Sequence, residues 1–223
     1  MVAMMVLATF VVFVLVDYYF QVRRAHPAKA VEKEGALGQV PFPLSIVGGF
    51  KLPANLSYHP GHTWAMKESR QLVRIGMDDL AVRLLGGIDQ LELPARGRWL
   101  RQGETGWTLV RGTHRFEMLS PIEGEVVDVN TEVLKDPSLA RKDPYGRGWL
   151  LAVNAPAADG NLKNLLHSRL AQRWMEESVA ELQSRISAQR GAHLQDGGQA
   201  VADVLAEVPE DQWDRLVRDT FLT

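Results

Sequence analysis

Few residues of this chain have the type and spacing of a catalytic or metal-binding group. His59 and His62 lie three positions apart, but Pro60-Gly61 between them prevents a shared helical face and no carboxylate cluster surrounds them. Asp78-Asp79 is explained by helix capping. The chain has no nucleophile elbow and no phosphate-binding loop. The sequence therefore predicts no catalytic residue, no metal site and no enzyme activity.

Composition excludes further classes of function. The chain has 223 residues, a formal net charge of −2 and no cysteine. This charge gives no basic field for nucleic acid phosphates. The absence of thiols excludes disulfides, thiolate metal sites and cysteine nucleophiles. Neither nucleic acid nor a small-molecule substrate is expected as a partner.

An uncharged apolar run fills residues 1–16, and apolar character resumes after Asp17. Sixteen to twenty helical residues cover roughly 24–30 Å, close to the hydrocarbon thickness of a bilayer. A cleavable signal peptide normally has basic residues before its apolar run, whereas here they follow it. The sequence thus predicts a single transmembrane helix over residues 1–20, with the rest of the chain in the cytoplasm. The expected bilayer contacts are Phe10, Phe13, Tyr18 and Tyr19.

Residues 21–57 show no sustained periodicity and are interrupted by proline and glycine. Such a segment is typically a flexible tether or a strap laid over a partner. Ile46, Val47 and Phe50 are apolar enough to dock, so both interpretations remain open.

Short apolar runs separated by turn residues fill residues 58–160. Strands are predicted near residues 72–75, 88–93, 107–110, 124–129 and 149–153. Their spacing, with Gly and Pro between them, indicates an all-β sandwich or barrel. A short helix is predicted over residues 77–85, with Asp78 as its cap.

Six motifs in this region resemble, in order and spacing, those of the lipoyl-carrying H proteins of the glycine cleavage system. They lie at residues 58–64, 73–81, 85–88, 91–97, 120–130 and 143–150. The resemblance implies a mainly β barrel-sandwich hybrid, in which two small sheets enclose a narrow apolar core. It also implies that His62 packs or hydrogen-bonds within the fold.

The resemblance fails at the residue that defines a carrier. In H proteins a Glu-Ser-Val-Lys-Ala hairpin presents the lipoylated lysine eight residues before the proline of a Ser-Pro turn. Counting back from Pro121 gives Thr113, and no lysine occurs between Lys67 and Lys135. Threonine has no amine for the lipoyl amide. The sequence thus predicts a degenerate carrier without lipoate or another cofactor.

The replacement hairpin has its own chemistry. Gly112-Thr113 can still form a tight turn. Arg111, His114 and Arg115 would form a cationic tip beside Phe116, suited to carboxylates or lipid phosphates on a partner. The alternative is a solvated loop without a function.

Beyond residue 160 the pattern becomes helical. Apolar residues at three- and four-residue steps predict a helix over about 162–189 and a last helix near Pro209. H proteins usually end soon after the closing motif, so residues 161–223 form an extension. Its apolar stripes either pack on the barrel or bind a partner. The candidate partner surface contains Trp174, Trp213, Leu216 and Phe221.

Two functions follow from these features. The first is a non-catalytic, non-lipoylated, single-pass accessory or scaffold subunit of a larger membrane protein complex, such as a respiratory or photosynthetic one. Its partners would be other integral membrane subunits and the bilayer. The second is a regulatory or delivery module that mimics a lipoyl carrier and binds lipoate-handling or dehydrogenase enzymes.

Overall fold

The computed structural model describes Val16, residues 43–190 and residues 203–221. The predicted anchor residues Phe10, Phe13, Tyr18 and Tyr19 lie outside this described part. Within it, no helix has the length and apolar character needed to cross a bilayer.

The strands form two antiparallel sheets and a separate hairpin. The hairpin contains β1 (Leu44–Val47) and β2 (Phe50–Pro53). The larger sheet contains β3 (Ser57–His59), β4 (Thr63–Lys67), β5 (Leu72–Met77), β7 (Trp99–Leu100), β10 (Gly124–Val129) and β11 (Leu151–Asn154), in the order β3-β4-β5-β11-β10-β7. The smaller sheet contains β6 (Gln90–Glu92), β8 (Thr105–Arg111) and β9 (His114–Leu119), in the order β6-β8-β9. The mainly β fold predicted from the sequence is confirmed.

One hydrophobic cluster joins side chains from both sheets. Trp64 and Ile75 of the larger sheet and Trp107 and Leu109 of the smaller sheet are all nearly inaccessible to solvent. Gly76 allows the Trp64 ring to lie against its backbone, because a Cβ at this position would lie 2.7 Å from that ring. The core therefore depends on an aromatic ring lying directly on a strand backbone.

Six α-helices accompany the sheets in the described part of the chain. They are α1 (Asp79–Leu85), α2 (Thr131–Lys135), α3 (Ser138–Lys142), α4 (Ala158–Lys163), α5 (Ser168–Arg190) and α6 (Trp213–Phe221). The predicted cap of α1 is confirmed, since the Asp78 side chain accepts a hydrogen bond from the Ala81 N–H at 2.8 Å.

The single helix predicted over residues 162–189 is wrong. The structure divides it into α4 and α5, because Leu166 pairs through its backbone with Tyr58 between the two helices. Ser168, at the start of α5, has φ +47°, which is outside the right-handed helical region.

Part of the predicted linker is a docked hairpin. Gln172 of α5 donates to the Ser45 hydroxyl at 2.9 Å. The Lys51 N–H donates to Asp79 at 2.8 Å, and the Tyr145 hydroxyl donates to the Lys51 carbonyl at 2.7 Å. Residues 44–53 therefore lie against the domain in the described part of the chain.

The C-terminal extension packs on the sheets. Met175, Val179 and Leu182 of α5 belong to the core cluster, as do Leu216 and Phe221 of α6. Of the two possibilities left open by the sequence, the structure shows the apolar stripes packed against the chain's own domain.

Candidate functional site

The predicted tight turn forms the tip of the β8–β9 hairpin. Arg111 pairs with His114, which leaves Gly112 and Thr113 as a two-residue turn. The Gly112 N–H donates to the Asp89 carboxylate at 2.7 Å, and Thr113 is exposed. The fold thus places Thr113 at the outermost point of the hairpin.

Arg111 joins the hairpin to the C-terminal extension. Its guanidinium donates to both carboxylate oxygens of Asp203, at 2.8 and 3.1 Å, and also to the Leu85 carbonyl. The Trp213 ring lies on the other side, with its centroid 4.3 Å from the guanidinium carbon. A bidentate ion pair that also contacts an aromatic ring fixes the orientation of the arginine.

Gly86 leaves the space that the Asp203 carboxylate occupies. The glycine ends α1 with φ +63°, a conformation that side-chain-bearing residues rarely adopt. A Cβ at Gly86 would lie only 2.0 Å from the carboxylate carbon of Asp203. Any side chain at Gly86 would therefore prevent Asp203 from reaching its position at the end of α1.

His114 forms a second connection to the extension. Its two ring nitrogens lie 3.0 Å from Asp214 and 3.2 Å from Glu210. The hydrogen bond to Asp214, with smaller contributions from Glu210, raises the pKa of the His114 imidazole above its ordinary value. The imidazole also stacks on Phe116 and contacts Trp213, at centroid distances of 6.0 and 5.3 Å.

The predicted cationic tip is present, but its charges are paired within the chain. Arg115 completes the set by donating through both guanidinium nitrogens to the two Glu92 carboxylate oxygens. Phe116 is only 3 % exposed. The acidic partners of Arg111, His114 and Arg115 come from β6 and the extension. Partner binding through these residues stays a prediction.

The candidate helical surface is also largely covered. Leu216 and Phe221 are 2 % and 0 % exposed, while Trp174 and Trp213 are partly buried against the core. The residues that sequence reasoning missed are Asp203, Glu210 and Asp214. A signal was available, because acidic residues are frequent over 203–214 and complement the cationic tip.

The structural interpretation of His62 is supported by its surroundings. His62 Nδ1 donates to Asp78 Oδ2 at 2.8 Å, and both side chains are almost inaccessible to solvent. The Trp174 and Phe221 rings lie 4.6 and 5.9 Å from the imidazole. Burial, and then the nearby Asp78 charge, raise the pKa of the Tyr58 hydroxyl. This site holds α1 and the two helices of the extension together.

The surroundings of Thr113 do not place the His114 imidazole as a base for its hydroxyl. The nearest imidazole, that of His114, has both nitrogens engaged with carboxylates and cannot also take a proton from the Thr113 hydroxyl. Across residues 43–190 and 203–221, no group of three or more His, Cys, Asp or Glu side chains could hold a metal ion.

Comparison with known proteins identifies the family. Residues 56–178 match the family described as glycine cleavage H-protein. The chain belongs to this family. A glycine cleavage system H protein of Prochlorococcus marinus (strain AS9601) is 34 % identical over 119 residues, which are 53 % of this chain and 91 % of that protein. A probable glycine cleavage system H protein 2 of Sulfurisphaera tokodaii is 32 % identical over 141 residues, 61 % of this chain and 93 % of that one.

A solved structure, the glycine cleavage system H protein of Mycobacterium marinum, aligns with a TM-score of 0.43 and 30 % identity, over 47 % of this chain and 86 % of that chain. The sequence matches support an H-protein-like lipoyl carrier fold. The family match ends at residue 178 within α5. Asp203, Glu210 and Asp214 thus contact the hairpin from outside the matched region.

Proposed function

We propose that this chain is a non-lipoylated, non-catalytic H-protein relative that serves as an accessory binding subunit. The observation that carries the proposal is Thr113, which lies exposed at the turn of the hairpin where the resemblance places the lipoylated lysine. Its hydroxyl cannot form the amide that links lipoate to a lysine. Its short side chain also cannot replace the long, flexible lipoyl-lysine side chain.

The contacts on either side of the turn favour a fixed hairpin over the freely presented hairpin of a carrier. A carrier has to present its tip to other enzymes. Here Arg111 is bound to Asp203, and His114 is bound to Asp214 and Glu210. Two of the side chains that flank the turn are thus tied to the chain's own extension.

We further propose that the subunit is anchored in a membrane, with its domain on the cytoplasmic side, and belongs to a larger membrane complex of the respiratory or photosynthetic kind. The support is the apolar run of residues 1–20 and the basic residues that follow it. A domain tethered in this way would meet its partners at high local concentration.

Intact mass spectrometry tests the loss of the carrier function. The full chain is co-expressed with a lipoate ligase in lipoate-supplemented cells, beside a Thr113→Lys variant. We expect the wild-type chain to have its unmodified mass. Lipoic acid attached to any side chain of the wild-type chain would overturn the proposal. Modification of Thr113→Lys would show that the missing amine alone prevents lipoylation.

Affinity purification tests the accessory role. The full chain and a variant lacking residues 1–20 are purified from detergent-solubilised membranes. We expect only the full chain to co-purify with integral membrane proteins. Recovery of the full chain alone in the soluble fraction would contradict the proposal, and capture of lipoate-handling or dehydrogenase enzymes would favour the regulatory alternative.

A further inference from the structure

β9 presents free backbone groups at the edge of the smaller sheet. Arg115 pairs with Val110 across the hairpin, and the Val110 carbonyl accepts from Asp89 on the β6 side, away from β9. Val110 and Arg115 therefore form a non-hydrogen-bonded pair of the antiparallel ladder. In such a pair, the N–H and C=O groups of each residue point away from the other strand. Arg115 therefore turns its N–H and C=O away from β8, and so does Glu117 two residues later. No described residue hydrogen-bonds to these four groups.

A groove runs along this free edge. It has a volume of about 880 Å³ and lies between β9 and α6. Its walls include Thr113, His114, Arg115, Glu117, Asp214 and Arg218. A free strand edge beside a helix is the geometry in which proteins bind extended peptides by strand addition.

We propose that this groove binds an extended segment of a partner protein as an additional antiparallel strand beside β9. The segment would exchange four backbone hydrogen bonds with Arg115 and Glu117. The proposal deepens the binding role described above by naming the surface and the chemistry of the partner.

The charges of β9 define the side chains of that segment. Opposite charges directly across two strands attract, and like charges repel. An acidic residue is therefore expected opposite Arg115 and a basic residue opposite Glu117. The residue between them would lie opposite Phe116 and on the same face, where Val217 also lines the groove, so it should be apolar. Read in the antiparallel direction, the segment has the order basic, apolar, acidic.

A second copy of this chain is a less suitable occupant, although its own Arg115-Phe116-Glu117 has the same order of side chains. Symmetric pairing of two β9 strands would bring both α6 helices to the same face of the combined sheet. Since α6 flanks β9 itself, a segment without its own helix fits the groove better.

A pair of synthetic peptides tests the proposal. The probe is a seven-residue peptide with lysine, valine and glutamate at its centre, and the control has these charges exchanged. Binding to the full chain in detergent is followed by fluorescence anisotropy. We expect the probe to bind about tenfold more tightly than the control. Both cross-strand charge pairs are attractive with the probe and repulsive with the control.

A charge exchange in the protein should reverse this preference. The variant is Arg115→Glu with Glu117→Arg, made in a Glu92→Gln background so that Glu92 does not repel the new carboxylate. The background variant alone is the reference. The matched control exchanges an exposed ion pair elsewhere, Glu132→Arg with Arg147→Glu, and should leave the preference unchanged.

Hydrogen exchange gives a readout at single residues. Bound probe should protect the amides of Arg115 and Glu117, while that of Phe116, which pairs toward Leu109, should change little. Absence of binding, an unchanged preference after the exchange, or self-association of the chain through β9 would overturn the proposal. None of these results depends on lipoylation, which the intact mass decides separately.

Discussion

Two histidine–carboxylate sites differ in burial, and burial determines how much each contact should contribute to stability. His62 and Asp78 lie 2.8 Å apart, and their side chains are 2 % and 0 % exposed. His114 lies at similar distances from Asp214 and Glu210, but those carboxylates are 58 % and 68 % exposed. The first site belongs to the region that matches the H-protein family, whereas the second joins that region to the extension.

Their expected energies differ for a physical reason. An exposed ion pair exchanges its contacts with water at little cost and contributes about 0–1 kcal/mol. A buried polar group that loses its partner cannot recover the contact from water, so removing one member costs several times more. The first site should therefore stabilise the fold, and the second should control how firmly α6 is held.

The largest effect is expected from Asp78→Ala. The substitution removes both the acceptor for His62 and the cap of α1, and it should lower the free energy of unfolding by about 3–5 kcal/mol. Urea denaturation of the full chain in detergent, followed by tryptophan fluorescence, measures the change. Glu104→Ala, which removes an exposed pair with Arg101, is the control and should cost less than about 1 kcal/mol. Equal losses in both variants would remove the distinction between the two sites.

A smaller and local effect is expected from Arg111→Ala. It removes the bidentate contact with Asp203 and the packing on Trp213, which should weaken docking of residues 203–221 by about 1–3 kcal/mol. Hydrogen exchange should show faster opening of α6, while the amides of β5 keep their protection.

The same measurement is made on Asp203→Ala and on the double variant Arg111→Ala with Asp203→Ala. The cycle separates the energy of the ion pair from the energy lost with the packing on Trp213. Simultaneous loss of protection in α6 and β5 would mean that the extension and the barrel unfold as one unit.

The smallest effect is the pH dependence of α6. Its contacts, first the hydrogen bond to Asp214, raise the pKa of His114 in the folded chain. The stabilisation is therefore complete below the unfolded histidine pKa of about 6.5 and is lost as pH rises through the folded value. Exchange protection of α6, corrected for the intrinsic rate, should fall as the pH rises above about 6.5.

His114→Gln should flatten this dependence without changing that of β5. A wild-type profile that does not fall with pH, or one that survives in His114→Gln, would assign the dependence to another group.

Local signals in the sequence were sufficient for several features of the site. The cap by Asp78 follows from residues within one helical turn, and the turn at Thr113 follows from its distance to Pro121. The hairpin β1–β2 also had a local signal, since Gly48-Gly49 separates apolar residues, but the surrounding prolines made the segment resemble a linker.

Contacts distant in the chain were not predictable in the same way. Asp78 lies 16 residues from His62, and Asp203 lies 92 residues from Arg111. Periodicity indicates which face of a helix is apolar, but it does not determine where that helix packs on a sheet. Only the packed fold decides which acidic residue of the extension meets which basic residue of the hairpin.

The seven-residue helix α1 lies between the His62–Asp78 site and Arg111 of the hairpin. Its first turn is capped by the carboxylate that binds His62, and its last carbonyl, that of Leu85, accepts from Arg111. A helix this short has little stability of its own and depends on what holds its ends. Displacing the hairpin would remove a contact from one end of α1, while the carboxylate that binds His62 caps the other end, so the stability of this helix depends on both regions of the chain.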